Sequence, residues 1–202
     1  HGGQAWQDAT VFEAVAMGIG GNNYYKNCYV DLKESCLRSE TTVKVFDQMR
    51  KLQGFTDEGS PGRDWNVATG MVIEGKAGFQ IMGDWAKGEF TAAGKVPGVD
   101  YYCAATPSNN GYLYNVDSFI FYKSSDPDKQ AGQKLLAKLM MGKNFQKVFN
   151  LYKGSIPARL DVSMDEFDKC AKTSNADIKT AGASGGLVPS FAHGMAQGNT
   201  MK

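Results

Sequence analysis

The chain has 202 residues, of which 42% are hydrophobic and 21% charged, and its formal net charge is +1. Such a composition is typical of a globular protein and argues against disorder, because enough apolar surface is present to offset the entropy of ordering the chain. Lysine and arginine form no basic stripe, which argues against nucleic acid as a partner, and the apolar runs are too short to span a bilayer.

The first part of the chain contains three predicted helices, each with an apolar stripe and a terminating glycine. They cover residues 8–19, residues 40–52, and the segment between the N-cap Asp64 and Gly75. Residues 22–38 have no clear period, so we predict irregular structure for them.

The rest of the chain alternates short apolar segments with amphipathic ones. Strands are predicted over 77–82, 101–105 and 114–122. Helices are predicted over 85–93, 127–141, 144–152 and 164–173, the last from a capping box at Ser163. Residues 180–187 are rich in glycine, alanine and serine, which predicts a flexible loop. The alternation of strands and helices favours an α/β architecture.

Four cysteines are present, at Cys28, Cys36, Cys103 and Cys170. They allow three disulfide pairings, and we favour Cys28–Cys36, which closes a local loop, together with Cys103–Cys170. Four buried free thiols in a reducing compartment are the alternative. No CxxC motif occurs and only two histidines are available, so we expect neither a metal site nor a cofactor.

Trp85 follows a predicted strand and begins a predicted helix. Open α/β sheets bind ligands at the carboxyl ends of their strands. An indole at such a position can lie against the C–H face of a pyranose, while the sugar hydroxyls bond to polar groups around it. A tryptophan buried in the core is the alternative. Trp6 is a weaker candidate of the same aromatic type.

Further polar candidates are Asn115 and Asp117, which alternate with apolar neighbours and therefore point to one face of a strand. A carboxylate there can accept two sugar hydroxyls, although a turn-capping aspartate fits the local sequence equally well. His193 can donate to one hydroxyl and accept from another, but a structural histidine is the commoner case. Lys153 lies at a helix C-terminus, where the helix dipole alone favours a lysine.

Catalytic motifs are missing from the sequence: it contains no GxSxG, HExxH or P-loop pattern. Asp84 and Glu89 could be imagined as a glycosidase pair, but five residues along one helix places them on poorly matched faces. The sequence therefore argues against an enzyme.

Six segments, in order, carry a more specific signal: HGGQAWQDAT (1–10), GRDWN (62–66), IMGDWAKGEF (81–90), YNVDS (114–118), FNLYKGSIP (149–157) and AHGMA (192–196). Together they resemble the glucose- and mannose-binding proteins of Gram-negative ABC importers, within the maltose-binding-like group. The resemblance covers essentially the whole chain.

The resemblance implies a type II periplasmic-binding-protein-like fold, in which two α/β lobes close over one sugar. Residues 1–108 and 160–202 would belong to the C-terminal lobe. Residues 109–159 would cross the hinge and add a strand and helices to the N-terminal lobe. The oxidising periplasm of such proteins favours disulfides over free thiols.

For the site, the resemblance implies that Trp85 stacks on the sugar while Asp117, Lys153 and His193 hydrogen-bond its hydroxyls. Asn115 and Trp6 would have secondary roles. The ligand would be a monosaccharide, glucose or a close hexose, and the other partner an inner-membrane ABC permease.

The sequence departs from the family at its start, because members carry a signal peptide and most of an N-terminal lobe before a segment like His1-Gly2-Gly3. We expect a missing lobe, in the same or a separate chain, and hence exposed apolar side chains on the hinge helices: Leu135, Leu139, Phe145 and Phe149. Two alternatives to sugar binding stay open. One is a carbohydrate-processing enzyme using Asp117 or Glu89, and the other is a truncated interaction module without independent sugar binding.

Overall fold

The computed structural model describes residues 1–108 and 111–190. Within those ranges the main elements are α1 (Ala5–Tyr25), α2 (Glu34–Leu37), α3 (Glu40–Gln53), α4 (Trp65–Ile73), α5 (Lys87–Ala92), β1 (Tyr112–Tyr114), α6 (Pro127–Met140), α7 (Lys143–Lys153), α8 (Lys169–Ala183) and β2 (Leu187–Pro189). None of the described helices has both the length and the apolar character needed to cross a bilayer.

Helix α1 extends beyond the predicted segment 8–19 but is kinked at Gly21, whose backbone is non-helical (φ 70°, ψ −175°). Glycine adopts this conformation without a steric penalty. After the kink the chain stays helical, first in α1 and then in a π-helical turn over Lys26–Val30. The prediction of irregular structure over 22–38 is therefore wrong. Tyr24 and Tyr25 are neighbours in the chain and both are buried, which obscures a simple helical period in the sequence.

Helix α3 confirms the prediction over 40–52. Ser39 caps its N-terminus by accepting the Thr42 N–H at 3.4 Å, and Gly54 follows its last turn. The helix packs against α1, and the core cluster between them consists of these buried residues: Val15, Ala16, Met17, Tyr24, Tyr25, Cys28, Val45 and Val188.

The predicted strands over 77–82 and 101–105 are not present, and the third, predicted over 114–122, is wrong except for Tyr114, which is the last residue of β1. A strand needs a hydrogen-bonded neighbour as well as an apolar pattern. The side chains of these segments find little cover among the described residues, since Phe79 is 97% exposed and Tyr102 83% exposed. The missing neighbour explains why the apolar pattern did not become sheet.

Strand β1 pairs with β2 in parallel, with Tyr112 opposite Leu187 and Tyr114 opposite Pro189. Parallel pairing requires a crossover connection, and helices α6, α7 and α8 lie between the two strands in sequence. The α/β prediction is thus confirmed for this parallel pair, while the described chain as a whole is mostly helical.

Helix α8 begins at Lys169, so the predicted helix over 164–173 is wrong in its start. The Ser163 hydroxyl bonds to the Asp165 carboxylate at 2.7 Å and caps no helix, whereas Asp168 accepts the Ala171 N–H at 2.9 Å. The predicted loop over 180–187 is also wrong, because α8 continues to Ala183 and β2 begins at Leu187.

The predicted helices over 85–93, 127–141 and 144–152 are confirmed. A short 3-10 turn over Asp84–Ala86 leads into α5, and the Asp126 carboxylate caps α6 by accepting two backbone N–H groups. Helix α7 ends at Gly154, which has a left-handed φ of 88°. The expected exposure on α6 and α7 is confirmed for Leu135, Leu139 and Phe149, which are 67%, 56% and 37% exposed, while Phe145 is half-buried.

Both predicted disulfides are confirmed. Cys28 is bonded to Cys36 with the Cα atoms 5.2 Å apart, and Cys103 to Cys170 with the Cα atoms 5.8 Å apart. The first fixes the bend after α1. The second joins the extended segment before β1 to the first turn of α8. The alternative of four free thiols is wrong, since no cysteine is free.

Candidate functional site

The described residues form a cleft of about 2000 Å³. It is lined by parts of α1, α5, β1, α7 and α8 and by the extended segments between them. Four of the predicted site residues line it: Trp85, Asn115, Asp117 and Lys153. Residues separated by up to 68 positions in sequence thus face one space.

Trp85 lies on the 3-10 turn that precedes α5. Its ring folds back over Gly83, where any side chain would overlap the indole. The Trp6 ring, on α1, lies with its centroid 6.4 Å from that of Trp85 and is tilted by 52°. Trp6 is not in the lining of the cleft; it contacts Trp85, and its Nε1 donates to Gln4 Oε1. Trp6 therefore supports the Trp85 ring from the side.

Asp117 and Lys153 form an ion pair across the cleft. The Asn115 amide donates to Asp117 Oδ1 at 3.3 Å, so three of the predicted polar residues form one connected group. The ammonium of Lys153 also lies 5.9 Å from the centroid of the Phe149 ring. The pair has no net charge, yet it presents both a strong acceptor and a strong donor.

Two glycines bring the turn that carries Trp85 against the end of α7. A Cβ on Gly88 would lie 2.9 Å from the Lys153 carbonyl oxygen, and a Cβ on Gly154 would lie 2.6 Å from the Gly88 nitrogen. Both distances are too short for a side-chain carbon. The backbones of the Trp85 and Lys153 elements are therefore in direct contact.

Asp84 joins the same two elements through its side chain. Its Oδ2 accepts the backbone N–H of Ile156 at 3.2 Å, and the Ser155 hydroxyl also bonds to the carboxylate. Burial raises the pKa of the Asp84 carboxyl above its ordinary value, while Ser155, Lys87, the Ile156 N–H and Lys153 act in the opposite direction.

Lys87 continues this arrangement towards α8. Its side chain is buried, at 7% exposure, and its Nζ lies 2.6 Å from Asp168 Oδ2. Asp168 uses its other oxygen to cap α8, two residues before the disulfide-bonded Cys170. The wall that carries Trp85 is thus joined to α8 by an ion pair with little access to water.

The predicted sugar ligand His193 lies outside the described residues. Among the residues that are described, no three His, Cys, Asp or Glu side chains converge as a metal site would require.

The sequence did not single out Lys87, Gly88 and Gly154, and it considered Asp84 only as half of a catalytic pair. Gly88 offered a signal, because a glycine in the first turn of a helix often marks a close backbone approach. Nothing in the local sequence indicated the partner of Lys87, which is 81 residues away in the chain.

Comparison with known proteins places this geometry in context. The family described as bacterial extracellular solute-binding protein matches residues 1–180. A probable sugar-binding periplasmic protein of Brucella suis is 47% identical over 203 aligned residues, which cover 100% of this chain and 48% of the relative.

Two further relatives agree. A probable sugar-binding periplasmic protein of Rhizobium meliloti is 45% identical, covering 100% of this chain and 49% of its own length. An uncharacterized ABC transporter extracellular-binding protein of Pyrococcus horikoshii is 31% identical, covering 95% of this chain and 42% of its own length. The relatives are named as binding proteins rather than enzymes, and the chain spans about half the length of each.

Proposed function

The chain belongs to the bacterial extracellular solute-binding proteins, and on this premise we propose that it forms part of the sugar-binding component of an ABC importer in the periplasm. It binds its ligand without covalent chemistry, and the proposed ligand is a monosaccharide, with glucose as the first choice. The relatives' names support sugar as the ligand class and the periplasm as the compartment.

The observation that carries the proposal is the shared cleft of Trp85 and the Asp117–Lys153 ion pair. A pyranose has an apolar C–H face and a rim of hydroxyls. The indole fits the first, and a carboxylate with an adjacent ammonium fits the second. Because the pair has no net charge, it suits a neutral sugar better than a charged solute.

Each polar residue has a distinct proposed role. Asp117 accepts hydroxyl protons, Lys153 donates to a hydroxyl oxygen and offsets the Asp117 charge, and Asn115 orients the Asp117 carboxylate. His193 is proposed as a further hydroxyl partner from the C-terminal segment. Trp6 holds the Trp85 ring, given the contact between the two indoles.

We propose that the chain contributes to two lobes. Residues 1–108 and 160–202 form one lobe, and residues 109–159 cross into a second. In support, no residue of α6 is buried among the described residues, and the element it contacts most is α7, next along the chain. Its exposed leucines are then the surface on which the second lobe packs.

The size of the cleft fits this division. Pockets that enclose a small ligand have volumes of about 300–1,000 Å³, and the cleft is larger than that range. Since the relatives are about twice as long, a second wall from the rest of the protein would narrow the cleft and enclose the sugar. The proposed second partner is an inner-membrane ABC permease.

The test is a chimera in which this chain replaces the matching region of the Brucella suis relative. Titration calorimetry with glucose, mannose and galactose is expected to show binding of at least one hexose, with glucose tightest. An acyclic polyol is the control, because it carries the hydroxyls without a ring face for Trp85. A folded chimera that binds none of the three hexoses would overturn the proposal.

The interaction-module alternative is supported by the same exposed faces of α6 and α7. Light scattering of the 202-residue chain separates the two ideas. A chain that self-associates and binds no hexose, even as part of the chimera, would favour the interaction module. A monomer that gains hexose binding in the chimera would favour the importer component.

A further inference from the structure

Five charged side chains of alternating sign lead from the proposed sugar site to α8: Asp117, Lys153, Asp84, Lys87 and Asp168. The two ends are ion pairs, Asp117 with Lys153 and Lys87 with Asp168. Asp84 interacts electrostatically with both lysines.

Asp84 is also adjacent in the chain to both halves of the site. It directly precedes Trp85, and its carboxylate bonds to Ser155 and Ile156, two and three residues after Lys153. A shift of the Trp85 turn relative to α7 would break both hydrogen bonds. The Asp84 side chain therefore helps to fix the distance between Trp85 and the end of α7 that carries Lys153.

The residues around Asp84 leave the Trp85 turn little room to shift relative to the end of α7. Gly88 and Gly154 meet at distances that exclude a side chain. Lys87 is buried and held by Asp168, which in turn caps α8. Asp84 therefore acts between two elements whose backbones are already in contact.

We propose that Asp84 is a positioning residue for sugar binding. It holds Trp85 and Lys153 in register by accepting hydrogen bonds from Ser155 and from the Ile156 N–H, while Lys153 stays paired with Asp117. The inference rests on the proposed function. It extends that function because it assigns part of the sugar affinity to Asp84, which does not stack on the sugar and bonds to the backbone behind the site.

The decisive variant is Asp84→Asn in the chimera described above. Asparagine keeps the shape and one acceptor oxygen, but it removes the charge and the second acceptor that Ser155 and the Ile156 N–H share. Hexose affinity is expected to fall about tenfold at neutral pH. Glu89→Gln, which removes a carboxylate from the exposed side of α5, is the matched control and should leave the affinity unchanged.

A pH profile separates positioning by charge from a merely structural role. The charged groups around Asp84 are Lys87, Lys153, Asp117 and Asp168, and Tyr112 is the nearby phenol. As the pH falls and Asp84 is protonated, the unaltered protein should approach the affinity of Asp84→Asn. Ser155→Ala removes a donor that lowers the Asp84 pKa, so its profile should move to higher pH.

A ligand-free measurement makes the inference independent of sugar binding. Fluorine NMR of fluorotryptophan-labelled protein reports on Trp85, whose signal is assigned by its absence from Trp85→Phe. That signal should shift on acidification and should not do so in Asp84→Asn.

The outcomes are distinct. A chimera that binds no hexose overturns the proposed function, and the NMR titration then still decides whether Asp84 positions the Trp85 ring. A chimera that binds hexose, with Asp84→Asn equal to it at neutral pH or weaker by a constant factor at every pH, overturns the inference and leaves the proposed function standing.

Discussion

Glu13 Oε1 accepts a hydrogen bond from Ser190 Oγ at 2.7 Å, which joins α1 to the end of β2 across 177 residues of sequence. The Tyr25 hydroxyl donates to the other carboxylate oxygen at 3.3 Å. Glu13 and Ser190 are both 2% exposed. A buried carboxylate therefore holds the strand that leads to the segment carrying His193.

Glu13→Ala is expected to reduce the free energy of unfolding by about 2–4 kcal/mol, because it leaves two buried hydroxyls without this acceptor. Urea unfolding followed by circular dichroism measures the change. Glu74→Ala is the control: its ion pair with Lys76 is exposed, and its effect should stay within about 0.5 kcal/mol. Equal effects of the two variants would contradict a structural role for Glu13.

The two disulfides should differ in their contribution to stability. The bond between Cys103 and Cys170 spans 67 residues, and that between Cys28 and Cys36 spans 8. Loop-closure entropy predicts a loss of about 4 kcal/mol when the long-range pair is changed to serine, against about 2.5 kcal/mol for the local pair. Chemical denaturation of the two double variants measures both losses. A larger loss from the local pair would contradict the entropic account.

Trp85→Ala should weaken hexose binding in the chimera by about 1–3 kcal/mol, because an aromatic face is lost from the site. His193→Ala should have an effect of similar size if that residue bonds to a hydroxyl, as the resemblance implies. Trp65→Phe, on α4, is the control and should bind as the unaltered protein does. Calorimetric affinities unchanged in both site variants would remove the proposed site.

Two glycine-to-alanine changes should have opposite effects on the stability of the protein. Gly88→Ala places a carbon 2.9 Å from the Lys153 carbonyl oxygen, and we expect a destabilisation of about 1–3 kcal/mol from the forced shift. Gly132 lies within α6, and a Cβ there would meet nothing within 4 Å. Alanine at that position should stabilise the protein by about 0.5–1 kcal/mol. Thermal melts of both variants provide the comparison.

The free energy of unfolding should also depend on the ionisation state of Asp84. Burial raises the pKa of its carboxyl above the ordinary value of 3.8, so the folded state favours the uncharged form. The resulting stabilisation is fully present below pH 3.8 and is lost as the pH rises through the folded-state pKa. Asp84→Asn, which is never charged, should therefore gain stability relative to the unaltered protein as the pH rises. Urea midpoints across this range test the sign, and a relative loss towards neutral pH would contradict it.

This stability prediction sharpens the proposed role of Asp84. A residue kept for folding alone should stabilise the protein in its charged form. A residue that positions the ligand site can oppose folding and still increase affinity, because the two free energies refer to different equilibria. Higher stability together with weaker hexose binding in Asp84→Asn is the combination that the structure predicts.

Much of the helical structure could be predicted because its signals are local. Ser39 and Asp126 cap helices through residues two or three positions away, and Gly154 ends α7 at a left-handed φ. Such contacts depend on few neighbours, so the sequence pattern was sufficient. The beginning of α8 was mispredicted, because two candidate caps compete there. Asp168 is the one that the distant Lys87 holds in place.

Strands and site contacts were harder to predict from the sequence, and the physical reason is the same for both. The segment over 77–82 has a strand-like composition, yet strand formation depends on a neighbour that its own sequence does not specify. Likewise, Asp84 accepts a hydrogen bond from Ile156, which is 72 residues further along the chain. No local sequence pattern indicates that partner.

By itself, the sequence determined most of the helices and the cysteines that pair. Through its ordered motifs it also pointed to the family and to Trp85, Asp117 and Lys153. Only the tertiary structure decided that Lys153 pairs with Asp117 and lies near Asp84, that Gly88 and Gly154 touch, and that one short pair of strands forms. The difference is physical: helices and caps arise from interactions within a few residues, whereas shared charges and strand ladders exist only after distant segments have been brought together.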